Sequence, residues 1–330
     1  VLPHKCDYWR IAIARGEVRV ADPRGLLTLA GAARARRRRL TDALLAEHAA
    51  GGAVRRGGQG YTFDTAMALS GLLTQMPSAN AWATTGSGTT GSGTTGVDNG
   101  KTTRAALDWA SLLITAAERA DPSAGSAHAD RPVAGTRWSM AFGAHQAKVC
   151  GALIEAGRVL GPLPGLDDAI TAFAAAALDV QSDDGRFRIH AASPMTYVHG
   201  HCYAVEGLLM RDAAGRGETL PEVVAGAAWL AAVQQADGSL PAWHDGRAGS
   251  GPPRADATAQ ALRIWTLVDP DRFAGAAARA QAFLAGLWTS PRGLRYEPGS
   301  GDLSAWATIF AAQALGWQAS PSAADAARLV

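Results

Sequence analysis

Residues 230–243 read LAAVQQADGSLPAW, and after a polar loop residues 255–268 read ADATAQALRIWTLV. The first stretch is the end of an apolar helix stopped by an Asp-Gly turn, a strong local punctuation signal. The second is a helix with polar side chains at its start and almost none along its flanks. A helix without a polar face has to be buried on every side. One such helix belongs inside a core, and several in series call for an architecture with many interior helices.

The same unit recurs in both directions. LDVQSDDGRF (178–187) leads to YVHGHCYAVEGLLM (197–210), and SPRGLRYEP (290–298) leads to LSAWATIFAAQALGW (303–317). YTFDTAMALSGLL (61–73) and WSMAFGAHQAKVCGALIEAGRVLG (138–161) supply two more apolar helices upstream. Marked at Asp64, Phe142, His201, Asp256 and Ser304, the starts lie 78, 59, 55 and 48 residues apart. The first step shrinks to about 65 without TTGSGTTGSGTTG (84–96), whose five-residue repeat has no apolar surface to bury and is expected to be a flexible loop. Five helix pairs whose second members are apolar all round close into a ring, inner helices within and outer helices around them. The expectation is an all-α protein, an α/α toroid of five to six helical hairpins with short extended turn segments. It spans residues 55–318, with 1–54 an N-terminal segment and outer helix of the same domain and 319–330 a tail.

Composition agrees and excludes several classes. The chain has 330 residues, 48% hydrophobic and 18% charged, with a net charge of +2, so no strong field for nucleic acid or another polyanion is expected. Arg34, Arg36, Arg37, Arg38 and Arg39 spray around the helix expected over 26–48 rather than forming one patch. Cys6, Cys150 and Cys202 are far apart and form no CxxC pair, which argues against a disulfide framework and fits a reducing cytoplasm. No long apolar leader and no run of about 18 apolar residues occurs, so neither signal peptide nor membrane span is expected. GVDNGKT (96–102) looks like a phosphate loop, but it has one residue too few between glycine and Gly-Lys and no strand ahead of it. No cofactor is implied.

The Gln-x-x-Asp-Gly turns in 178–187 and 230–243 resemble those of terpenoid cyclases and protein prenyltransferases. HGHCYAVEGLL (199–209) and ADATAQALRIW (255–265) resemble helices of glycan-processing toroids: polysaccharide lyases, uronyl and N-acylglucosamine epimerases, and six-hairpin glycosidases. The resemblance implies a pocket at one mouth of the ring, lined by the first turns of inner helices. Helix N-termini carry unpaired N–H groups and partial positive charge, which suits carboxylates and sugar hydroxyls.

Candidate site residues follow from that placement. His201, Tyr203 and Glu206 are the expected proton-transfer set, with Glu206 the orienter, since His, Tyr and a carboxylate beside a carbonyl make an acid/base kit. The structural alternative has His199 and His201 sealing the helix end and Glu206 salt-bridged to an arginine. Tyr61, Asp64, Trp138, His145, His199, Trp243, His244, Arg254, Asp256 and Trp306 are the expected substrate-binding residues. Asp64 and Asp256 are also expected to cap their helices. The Asn-His-x-Tyr pattern of helical lyases departs at Gly200, as does the Asp-x-Cys zinc pair of prenyltransferases, so no metal is assigned to His199, His201 and Cys202. The expected partner is a small sugar or oligosaccharide. An isoprenoid enzyme lacks its usual acidic motifs here, and a non-catalytic glycan- or protein-binding ring remains the third reading.

Overall fold

The computed structural model describes residues 39, 41–49, 52–53, 55–56, 59–74, 76, 99–118, 143–189, 191, 193–289, 293–319 and 325–329. The Thr/Gly/Ser repeat, Trp138, Cys6 and Arg34 to Arg38 lie outside them.

Helices alternate between two environments. α2 (Thr62–Leu73), α4 (Val149–Leu160, preceded by a 3-10 turn Ala144–Lys148), α6 (Val198–Ala213), α8 (Ala255–Val268) and α10 (Ala305–Ala319) are the inner set. Every residue from Val198 to Leu209 in α6 and from Ala255 to Trp265 in α8 is buried. The outer set is α1 (41–49), α3 (Asn99–Glu118), α5 (Leu166–Leu178), α7 (Leu220–Ala232) and α9 (Ala274–Leu287). These are one-sided: α5 buries Leu166, Ala169, Ile170, Phe173, Ala174 and Ala177 and exposes Asp167, Asp168 and Thr171. Successive inner helices pack side by side, α2 on α4, α4 on α6, α6 on α8 and α8 on α10, each backed by outer helices. The fold is the α/α toroid that the apolar helices require. Leu44 of α1 and Leu329 beyond α10 belong to the same apolar core.

The Gln-x-x-Asp-Gly turns hold outer helices to one another. Gln181 Nε2 donates to Gly185 O at 3.0 Å and to Glu222 O in the first turn of α7 at 2.9 Å. Gln234 Nε2 repeats both bonds, to Gly238 O at 3.0 Å and to Ala276 O in α9 at 2.9 Å. Each turn needs its glycine. Gly185 and Gly238 have φ of +89° and +87°, and a Cβ would run into Ala225 O and Arg279 O respectively.

A second repeated tie joins each turn to the inner helix that follows. Leu240 N–H donates to Thr258 Oγ1 at 3.0 Å and Leu294 N–H to Thr308 Oγ1 at 2.9 Å. Phe187 N–H donates to His201 Nδ1 at 3.0 Å. Thr258, Thr308 and His201 are all the fourth residue of their helix, as is Thr65 in α2.

Small antiparallel sheets bind the starts of neighbouring inner helices. β1 (Arg55–Arg56) and β2 (Gln59–Gly60) pair ahead of α2, while β3 (Thr196–Tyr197), β4 (Trp243–His244) and β5 (Gly249–Ser250) join the approaches to α6 and α8, with Tyr197 opposite Trp243. β6 (Trp288–Thr289), β7 (Gly293–Arg295) and β8 (Leu303–Ser304) lead into α10. Ala255 N–H donates to Tyr296 O at 3.0 Å, which ties the start of α8 to the end of β7. The starts of α6, α8 and α10 therefore share one rim. Among the described residues no helix is long and apolar enough to cross a membrane.

Candidate active site at the mouth of the ring

With the fourth residue of α6, α8 and α10 committed to a structural tie, the second residue of each inner helix, or for α4 of the 3-10 turn before it, faces its neighbours across the rim. Those second residues are Phe63, His145, His199, Asp256 and Trp306. His199 Nδ1 lies 3.6 Å from Asp256 Oδ2. Trp306 Nε1 donates to the same oxygen at 3.3 Å, and Tyr296 Oη donates to it at 3.0 Å. The other oxygen, Oδ1, accepts Ala257 N–H at 2.8 Å. Asp256 is 1% exposed, so its charge is held by these donors rather than by water.

Aromatic rings surround this carboxylate. His199 stands edge-on to Tyr203 with centroids 4.4 Å apart and to Tyr197 at 5.8 Å. Tyr197 lies against Trp243 at 4.7 Å, and its phenol neighbours that of Tyr296. The Arg254 guanidinium covers the Tyr296 ring at 4.5 Å and pairs with Glu297 at 2.9 Å. Tyr197, Trp243, Arg254, Tyr296, Glu297 and Trp306 are half-buried, so this side of the cluster is the one open to a ligand. Burial, with the nearby Asp256 charge second, pushes the Tyr197 and Tyr296 phenols above their ordinary range. Both therefore keep their protons and serve as hydrogen-bond donors, not bases.

Two turns deeper, about 10 Å along the helix axes, a second polar layer crosses the ring. Glu206, Arg263 and Gln313 are each seven residues beyond His199, Asp256 and Trp306. Glu206 Oε2 accepts from Lys148 Nζ at 2.9 Å, and its Oε1 accepts from Arg263. Arg263 also donates to Gln313 at 2.8 Å and lies 4.0 Å over the Phe310 ring. Lys148 is lowered to about 8 by burial, against the opposing pull of Glu206. This is a buried ion network spanning the 3-10 turn before α4, α6, α8 and α10, with the carboxylate fully shielded.

The sequence-based expectations divide accordingly. Asp256, Trp306, His199, Arg254 and Trp243 converge at the rim. Tyr203 joins them through His199, but from a fully buried position, where burial and then Glu206 raise its phenol well above the usual range. His201 is not beside Tyr203. Its ring faces Phe187 and Trp229, Nδ1 accepts from Phe187 and Nε2 lies 3.1 Å from Gly226 O, so backbone groups occupy both nitrogens. Burial lowers it to about 3. Glu206 sits in the deep ion network, bound to an arginine as the structural alternative has it, and also to Lys148. His145 and Phe63 are neighbours at 5.7 Å on the α2 side of the rim. Tyr61 and Asp64 are buried at the start of α2, whose cap is Tyr61; Asp64 lies inside the first turn rather than at the cap. Asp256 is likewise inside α8, which Arg254 caps. His244 turns away, accepting Gly246 N–H at 3.0 Å beside Trp229. Tyr197, Tyr296 and Glu297 were not among the expected residues. Among the described residues no group of His, Cys, Asp and Glu is arranged to hold a metal ion.

No protein-family model matches the chain, and no curated protein matches it in sequence. Solved structures do match in fold. The unsaturated glucuronyl hydrolase of Bacillus sp. GL1 superposes with a TM-score of 0.63 at 13% identity, covering 96% of this chain and 86% of that one. Cellobiose 2-epimerase from Bacillus thermoamylovorans gives 0.61 at 10% identity, over 95% of this chain and 87% of that one. A polysaccharide lyase gives 0.59 at 10% identity, over 96% and 90%. The likeness runs through nearly the whole chain and shows that its fold is that of the α/α toroids.

Proposed function

We propose that the protein is an enzyme acting on a carbohydrate or uronic-acid substrate, as a lyase, epimerase or hydrolase, by acid/base chemistry at the mouth of the ring. The observation that carries this reading is the convergence of His199, Tyr296 and Trp306 on one buried oxygen of Asp256, brought together from three different inner-helix units. His199 is the proton-transfer group, since an imidazole can both take and give a proton and a carboxylate beside one nitrogen orients the ring. Asp256 is the orienter. Tyr197, kept protonated, donates to a substrate oxygen, Tyr296 holds the Asp256 carboxylate, and Trp243 and Trp306 give flat apolar faces for a sugar ring. The hydrolase, epimerase and lyase named above act on sugars on this same fold, which supports a sugar over an isoprenoid. The buried thiols of Cys150 and Cys202, which form no disulfide, favour a reducing, cytoplasmic setting.

The test is a three-way assay. Unsaturated glucuronyl disaccharides are followed for loss of absorbance at the enol ether, polyuronates for its gain, and cellobiose for epimerisation by NMR. One of these activities is expected, with Asp256→Asn and His199→Ala each lowering kcat/KM by about 100-fold or more. Turnover that survives both substitutions would sink the assignment, and binding without turnover in any assay would favour a non-catalytic ring.

A further inference from the structure

Asp256 Oδ2 is approached by three donors at once, and they are not equal. Tyr296 Oη at 3.0 Å and Trp306 Nε1 at 3.3 Å are hydrogen bonds, whereas His199 Nδ1 at 3.6 Å is beyond hydrogen-bond range. A carboxylate oxygen has two lone pairs, and here two neutral donors occupy them. We propose that Tyr296 and Trp306 are positioning residues that compete with His199 for Asp256 Oδ2 and so limit how much of the carboxylate's charge reaches the imidazole. When His199 takes a proton it becomes the strongest of the three donors, and the contact shortens at the expense of the Tyr296 bond. Tyr296 can yield because the neighbouring Tyr197 oxygen is a second acceptor for its hydroxyl. Tyr296 reaches Asp256 from β7, tied there by the Ala255 N–H to Tyr296 O bond, and its ring is held flat under Arg254. This inference rests on the reading of His199 as the acid/base group.

The other ionisable groups on the elements packed around His199 include Tyr197, Cys202, Tyr203, Arg254, Glu297 and His145, with Lys148, Glu206 and Arg263 two turns deeper. All of them are unchanged in the variants below, so a shift reports on Oδ2. The experiment is an NMR titration of histidine-labelled protein, with His199 assigned among the eight histidines by the signal lost in His199→Gln. It needs no substrate. Tyr296→Phe is expected to raise the His199 pKa by about 0.5–1 unit, a 3–10-fold tighter proton. Trp306→Phe should shift it the same way by less. In an Asp256→Asn background the Tyr296→Phe effect should vanish. An unchanged or lowered His199 pKa in Tyr296→Phe overturns the inference, as does a shift that persists in the Asp256→Asn background. Failure of every sugar assay would remove the proposed function but leave this titration as decisive as before, and Trp306→Phe serves if Tyr296→Phe does not fold.

Discussion

His201 Nδ1 accepts the backbone N–H of Phe187 at 3.0 Å, the same service that Thr258 gives Leu240 and Thr308 gives Leu294. In a threonine unit the hydroxyl also back-bonds to the carbonyl four residues earlier, at 2.7 Å for Thr258 and 2.6 Å for Thr308. The imidazole instead reaches outward to Gly226 O on α7. His201 is thus a larger version of a repeated structural tie, spanning turn, inner helix and outer helix.

Replacing it should cost stability and spare catalysis. His201→Ala strands the buried Phe187 N–H, removes the contact to Gly226 O and leaves a cavity, a loss of about 2–4 kcal/mol. His201→Thr restores the tie used by the other units and should recover about half. Urea denaturation measures the first effect. Activity per folded molecule, expected to stay within about 3-fold of wild type by the standing tolerance of sites away from the chemistry, measures the second.

Acid sensitivity follows from the same residue. Burial lowers His201 to about 3 from 6.5, so the folded state favours the neutral ring. Its contribution is complete above pH 6.5 and is withdrawn as pH falls towards 3, at about 1.4 kcal/mol per pH unit. Urea midpoints at pH 7, 5.5 and 4 should fall more steeply for wild type than for His201→Thr, by one proton's worth of slope. Equal slopes would mean the ring is not held neutral.

The fold was legible because its signal is repeated. Apolar-all-round helices and Asp-Gly turns recur at similar spacing, and each instance reinforces the others. The rim cluster was legible only in part, because the expected helix starts were set out of register. Aligning units at His201 and Asp256 pairs the fourth residue of α6 with the second residue of α8. TFDT (62–65), ADAT (255–258) and AWAT (305–308) share a fourth-position threonine, and aligning VHGH (198–201) with them brings His199 level with Asp256 and Trp306. Histidine in the threonine's place draws attention as chemistry when it is a tie. Tyr296 had no such local signal. It follows β7 and reaches Asp256, 40 residues away, through sheet pairing that no spacing rule reveals.

The glutamine turns make a paired prediction. Gln181→Ala removes one hydrogen bond within its turn and one to the next outer helix, Gln234→Ala removes the same two and the bond from Arg279, and each should cost about 1–3 kcal/mol. Gly185→Ala and Gly238→Ala should cost at least as much, because the added Cβ meets a carbonyl oxygen and φ is positive. Thermal melts of the four variants check this, and an unaffected glycine variant would contradict the turn geometry.

The deep carboxylate offers the sharpest contrast between chemistry and structure. If Glu206 oriented the reacting group, Glu206→Gln would lose turnover and keep its stability. Bound to Lys148 and Arg263 with no exposed surface, it should do the reverse. Removing it leaves two buried cations without that counter-charge, a loss of about 3–5 kcal/mol. Lys148 gives a pH signature. Burial already lowers it to about 8 from 10.5, and the Glu206 attraction is what holds it that high. A lysine whose folded value is lowered costs stability while charged and gives it back as pH rises through that value. Wild type should therefore gain between about 8 and 10.5, and Glu206→Gln should begin gaining at lower pH. Melting temperatures across pH 6 to 10 test this, and a variant that melts like wild type throughout would show that the ion network carries no net weight.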